Sequence, residues 1–262
     1  MVRVLVSSFL FAAIVCGHSP HGAAPALQLR YGVAAFGAVN PLESIELLAS
    51  VGFDYAEPAL SHTVALPADK LASARERVSA SGIKIETMNW FMPGTEIKLT
   101  GPDADATKIR AYVEKALTLA ESFGAKVIVF GSPGARSVPD GFPREKGWEQ
   151  LKEFLRICGD VIQSRGFGMV IGIEHLRKPE TNIINTVGEA LKLAREVNHP
   201  KIRIIVDFYH LAFEHENPDV ILEARDMIVH LQVADPRERN FPTSDAGEPR
   251  YAAFFKNLQT IG

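Results

Sequence analysis

The sequence predicts a (β/α)8 TIM barrel that stops before its eighth strand. Three observations predict it. Short apolar runs ending in polar residues follow one amphipathic helix after another, which is the mark of βα repetition. Gly52, Gly82 and Gly124 each close a helix just before such a run. The 262 residues carry no Ser/Gly- or Pro-rich linker and match the length of a single barrel domain, typically about 250 residues.

Leu29–Ala34 is read as the first strand. Asn40-Pro41 opens the first helix, with Asn as cap and Pro in the first turn, and Gly52 ends it before the strand Phe53–Glu57. A second helix, Pro67–Ser81, leads through Gly82 into the strand Ile83–Asn89. The third carries Ile109, Tyr112, Val113, Ala116, Ala120 and Phe123 on one face and is followed by the strand Lys126–Phe130. The fourth bears the stripe Leu151, Phe154, Leu155, Cys158, Val161 and Ile162, which makes Cys158 a core thiol. Its strand, Gly168–Glu174, has the continuous apolar run of a strand buried on both faces. Thr186-Val187-Gly188-Glu189 is a capping box; its helix runs to Asn198, and Ile202–Asp207 is the sixth strand. Pro218–Arg225 is read as a helix and Met227–Val233 as the seventh strand. Tyr251–Thr260 is the last helix, with Gly262 behind it and no eighth strand.

Residues 1–26 differ from the rest. Arg3 precedes an apolar run over Leu5–Cys16 and then small residues at Ala23, Ala24 and Ala26, the layout of a secretory signal peptide. The barrel domain is therefore expected over 27–262, exported to a periplasmic or other extracytoplasmic space, with a cytoplasmic barrel carrying an extra N-terminal element as the alternative. The run is too short to span a bilayer, so no stable membrane insertion is expected after processing. With 31 acidic and 28 basic residues mixed along the chain, there is no basic field for nucleic acid. A homo-oligomer is left open.

Ligands of parallel α/β proteins sit at the carboxyl ends of the strands, where the polar residues are Glu57, Asn89, Glu174, Asp207, His210 and His230. Glu174, Asp207 and His230 bring two carboxylates and an imidazole from three successive strands. Hard oxygen donors with one imidazole suit Mn²⁺, Co²⁺ or Mg²⁺. Glu57 and Asn89 are read either as pocket lining or as structural hydrogen-bonding groups. Arg136, in the Gly131–Arg136 loop, is a candidate substrate contact, and Trp90 and Phe91 are candidates for an apolar wall. His175 and His199 are read as surface or supporting histidines.

The segments Ile173-Glu174-His175-Leu176 with Glu180, Val206-Asp207-Phe208-Tyr209-His210, and His230-Leu231-Gln232-Val233-Ala234-Asp235 resemble the xylose-isomerase-like sugar isomerases and epimerases. Within that superfamily they are nearest to ketose 3-epimerases and hydroxypyruvate isomerases. The resemblance implies a divalent metal held by Glu174, Asp207 and His230, with Glu174 also the acid/base. A second glutamate, on the eighth strand in the family, has no counterpart here. His210, Glu180 and Arg237 are the implied substrate-binding residues, with Arg239 close to the last. The implied reaction is isomerisation or epimerisation of a small keto sugar or keto acid through an enediolate. A non-catalytic sugar-binding barrel and, further off, an endonuclease-like metal-dependent hydrolase are the alternatives.

Overall fold

The computed structural model describes residues 30–37, 39–94, 96–242 and 250–261. Its elements in order are β1 (Gly32–Ala34), α1 (Ile45–Val51), β2 (Tyr55–Glu57), α2 (Leu60–Val64), α3 (Ala68–Ser81), β3 (Thr87–Met88), α4 (Ala106–Phe123) and β4 (Val127–Phe130). There follow α5 (Pro133–Arg136), α6 (Arg144–Ser164), β5 (Val170–Ile173), α7 (Val187–Val197), β6 (Ile202–Asp207), α8 (Phe208–Phe213), α9 (Val220–Ala224), β7 (Ile228–Gln232) and α10 (Arg250–Ile261). The expected leader, residues 1–26, lies outside the described residues.

All pairings between the named strands are parallel. β3 to β7 form one sheet in sequence order, and β1 pairs with β2. Single parallel bridges, Tyr55 with Lys84 and Ala59 with Asn89, join the two sets. This is TIM-barrel order with seven strands among the described residues. Burial follows the two-faced geometry of a barrel wall. Ile128, Phe130, Ile171, Ile173, Ile204 and Val206 face the helices and join the main core, whereas Val127, Val129 and Ile205 form a separate inner cluster with Val170. Each fully buried Ile or Phe contributes about 1.5–3 kcal/mol through burial.

Several boundaries differ from the sequence reading. The first helix breaks at Ser44 into a 3-10 turn, Pro41–Glu43, and α1; Asn40 caps the turn through its side chain. The strand expected over Ile83–Asn89 pairs as β3 only at Thr87–Met88. The helix expected over Pro218–Arg225 is confined to α9 and ends in the 3-10 turn Arg225–Met227. The short helices α2, α5 and α8 have no counterpart in the reading, because elements of four to six residues are too short to show a helical period. The capping signals were more reliable. Thr186, read as the head of a capping box, accepts from the Glu189 N–H at the start of α7; Asp105, which the sequence reading did not single out, caps α4 by accepting from the N–H groups of Thr107 and Lys108. Cys158 is fully buried on α6, where burial pushes its thiol pKa well up.

Candidate metal and substrate site

β5 and β6 end side by side, and each hands a carboxylate to the same mouth. Glu174 follows directly on β5; Asp207 closes β6. The chain turns at once into α8 because Asp207 caps it, its Oδ1 accepting from the Tyr209 N–H at 2.7 Å. One helical turn on, the same geometry brings His210 back over the strand end. Its Nε2 lies 3.4 Å from Asp207 Oδ2, 3.5 Å from Glu174 Oε1 and 3.8 Å from Glu180 Oε2. The other ring nitrogen, Nδ1, accepts the Arg177 N–H at 3.3 Å, which leaves the proton of the neutral ring on Nε2, facing the carboxylates.

Glu174, Asp207 and His210 are buried, and one ligating atom of each lies within 4.8 Å of the others. The two carboxylates suit a hard divalent cation, with the Nε2 proton of His210 facing them. The backbone is shaped for it as well. A Cβ on Gly131, at the end of β4, would stand 2.1 Å from Glu174 Oε2, so only glycine leaves room for this carboxylate. Burial, and then the Glu174 charge, raise the Asp207 pKa to about 6 against the pull of His210. Burial lowers the His210 pKa, but Asp207 and Glu174 outweigh it and the net shift is upward. A cation among these groups offsets the same crowding of negative charge.

His230 stands elsewhere. A β-bulge at Ile204/Ile205 resets the β6–β7 register so that Ile205 is level with His230 and Asp207 with Gln232. His230 is thus one inward-facing position deeper, where its Nε2 is 2.7 Å from Glu57 Oε2. The residue level with the carboxylates is Gln232, whose amide oxygen is a further hard donor. The sequence reading passed over it because an amide carries no charge; its place two residues beyond His230, on the same strand face, is the signal that would have found it.

Arg237 also points away from the mouth. Its side chain is 68% exposed and, among the described residues, pairs with Asp235 at 3.6 Å. Arg239 takes the place expected of it. Asp235 Oδ1 accepts from the Arg237 and Glu238 N–H groups, and the Arg239 N–H closes back onto the Asp235 carbonyl, so the turn aims Arg239 inward. Arg239 Nη1 donates to Glu180 at 2.7 Å, its Nη2 is 3.3 Å from His210 Nε2, and its guanidinium lies over the Phe36 and Tyr209 rings. Glu180 accepts from Arg177 as well, at 3.0 Å.

Arg136 is not a substrate contact. It is fully buried behind Glu174 and donates to the carbonyls of Phe130, Glu174 and Ile184 at 2.8–3.2 Å, so its task is to hold the ends of β4 and β5 and the following loop together. Ile184 adopts a left-handed backbone, φ 59°, unusual for a β-branched residue. His175 is neither exposed nor idle. Fully buried, it accepts the Asp207 N–H at 3.4 Å, and burial, then His210 and Arg136, hold its pKa well below the usual range. His199, half-buried, stands 3.8 Å from Asp160 away from the mouth. Asn89 donates to the Ala35 carbonyl. Phe91 is core, whereas Trp90 is 40% exposed beside His62 with φ 44°.

Comparison with known proteins agrees with this architecture. The family model described as xylose isomerase-like TIM barrel matches residues 45–262. D-psicose 3-epimerase of Agrobacterium fabrum (strain C58) is 22% identical over 197 residues, 74% of this chain and 68% of that protein. L-ribulose 3-epimerase of Methylomonas sp. (strain DH-1) is 27% identical over 247 residues, 89% of this chain and 81% of its own. Matches to two further curated sugar isomerases or epimerases span 57% and 56% of their lengths. Among solved structures, D-psicose 3-epimerase of Clostridium cellulolyticum H10 with D-tagatose superposes with a TM-score of 0.75 at 20% identity, covering 89% of this chain and 82% of that one.

Proposed function

Because the chain belongs to the xylose isomerase-like TIM barrel family, whose matched relatives are sugar epimerases and isomerases, we propose that it is a metal-dependent isomerase or epimerase of a small keto sugar or keto acid. The observation that carries this reading is the buried meeting of Glu174, Asp207 and His210 at the strand ends. A divalent cation would be held by Glu174 and Asp207, with the Gln232 amide oxygen as further donor, and would supply electrophilic polarisation of the substrate carbonyl. The cation is Mn²⁺, Co²⁺ or Mg²⁺ by the hardness of the donors.

Glu174 is the base that takes the proton from the carbon beside the carbonyl, giving an enediolate. Delivering that proton to the former carbonyl carbon completes an isomerisation, whereas an epimerisation takes its proton from a second acid on the opposite face. His210 Nε2 and Arg239 hold substrate oxygens, and Glu180 fixes Arg239 in place. Arg136 and Gly131 keep Glu174 aimed, one by holding its carbonyl and the other by leaving its carboxylate room. Phe36 and Trp90, which keep about half their surface exposed, are the apolar side chains we assign to the border of a sugar site.

Two measurements test the reading. Mn²⁺ added to metal-free protein raises the thermal midpoint, since a ligand bound only by the folded state stabilises it, and Asp207→Asn abolishes the rise. In deuterated water, NMR shows exchange of the proton next to the carbonyl of a ketose or hydroxy-keto acid, and Glu174→Gln lowers that exchange at least about 100-fold. Exchange that persists unchanged in Glu174→Gln refutes the assigned base. His210→Ala and His230→Ala, compared in the Mn²⁺ melt, decide which imidazole touches the cation.

A further inference from the structure

Beneath the mouth lies a second buried polar group that the proposed chemistry does not use. Glu57, at the end of β2, is 1% exposed. Three donors converge on it: Thr87 Oγ1 at 2.8 Å and His230 Nε2 at 2.7 Å on Oε2, and Gln232 Nε2 at 2.5 Å on Oε1. Two of them come from β7, which the fold sets far along the sheet order from β2.

We propose that Glu57 is a positioning residue which turns the Gln232 amide oxygen into a metal ligand and withholds His230 from the metal; the proposal rests on the metal reading above. A carboxylate without a proton only accepts, so Gln232 must meet it with its nitrogen. The amide is thereby fixed with Oε1 directed away from Glu57, and that oxygen accepts no hydrogen bond among the described residues. The β6–β7 register sets Gln232 level with Asp207, so a neutral oxygen donor joins the two carboxylates Glu174 and Asp207. The Nε2 of His230 is spent on Glu57, one inward position below. The same carboxylate thus explains both why the histidine is kept off the cluster and why an amide can replace it. Supporting contacts of this kind orient ligating side chains and typically carry about 10–100-fold in metal affinity.

Titration of the full, metal-free chain with Mn²⁺, followed by EPR, tests the proposal. Glu57→Gln keeps the shape but brings an amide that cannot accept from His230 and Gln232 on both sides, so one of them must turn over. The expected result is Mn²⁺ binding weakened about 10–100-fold. In a Gln232→Ala background the same change has little further effect, within about 2-fold, because the residue through which Glu57 acts is gone. If Glu57→Gln does not fold, Glu57→Asp, which draws the carboxylate back, takes its place with the same dependence on Gln232. A second readout needs no metal: the Gln232 side-chain amide of the wild type is held against solvent exchange in ¹⁵N NMR, and this protection disappears in the Glu57 variant. Unchanged Mn²⁺ affinity in the Glu57 variant, or an equal loss in both backgrounds, overturns the role of Glu57 alone. A wild-type protein that binds no Mn²⁺ overturns the metal reading on which it stands.

Discussion

Gly131 illustrates how much of the site depends on a side chain that is absent. The atoms its would-be Cβ meets first are the far end of the Glu174 side chain and then Leu176 Cδ2, so the fold can absorb an alanine there by displacing the carboxylate. Gly131→Ala is therefore expected to melt within a few degrees of wild type, while losing the Mn²⁺-induced rise in midpoint; differential scanning fluorimetry with and without Mn²⁺ checks both. Asp207 supports a prediction with a definite sign. Its pKa is 3.8 in the unfolded chain and about 6 in the fold, so the folded, metal-free protein holds a proton that the unfolded chain has released. Its contribution to stability is full below 3.8 and is lost as pH rises through about 6. With chelator present, urea unfolding between those limits should show that loss in wild type and not in Asp207→Asn. Metal favours the ionised form, so the Mn²⁺ effect grows over the same window.

Two short elements decide what the strands deliver. α8 exists because Asp207 caps it, and a single turn then suffices to bring His210 onto Asp207 and Glu174. The β-bulge between β6 and β7 shifts the pairing by one residue, which lowers His230 and brings Gln232 level with Asp207. The loop after β7 works in the same way, its Asp235 turn sending Arg237 outward and Arg239 inward. Arg239→Ala should lower kcat/KM about 10-fold or more, the scale of one charge-assisted hydrogen bond, whereas Arg237→Ala should change it less than about 2-fold. Steady-state assays on the substrate identified by proton exchange separate the two. Equal effects would remove Arg239 from the mouth.

Across the whole molecule, the helices clothe a parallel wall whose inner end is tied from β2 to β7 through Glu57. No helix among the described residues is long and apolar enough to cross a membrane. Export of the barrel remains our proposal, resting on the composition of residues 1–26. Mass spectrometry of the protein from its native host should give a start between about residues 24 and 27, where small residues suit a cleavage site. An N-terminus that retains Arg3 would refute it.

Fold and ligand chemistry were legible in the sequence to different depths, for physical reasons that particular residues show. Repeated apolar runs, the glycine stops and the caps at Asn40 and Thr186 are local, and each acts within a few residues of itself; they sufficed for a parallel barrel and for Glu174 and Asp207 at its strand ends. Choosing between His230 and Gln232, or between Arg237 and Arg239, required a register and a turn. A one-residue bulge exchanges the level of every residue beyond it without altering composition or period. Glu57 and His230 are 173 residues apart, and nothing near either one signals the other. The sequence by itself determined the barrel and the kinds of donor that line its mouth; only the tertiary structure decided which donors meet, because that depends on the pairing of strands distant in the chain.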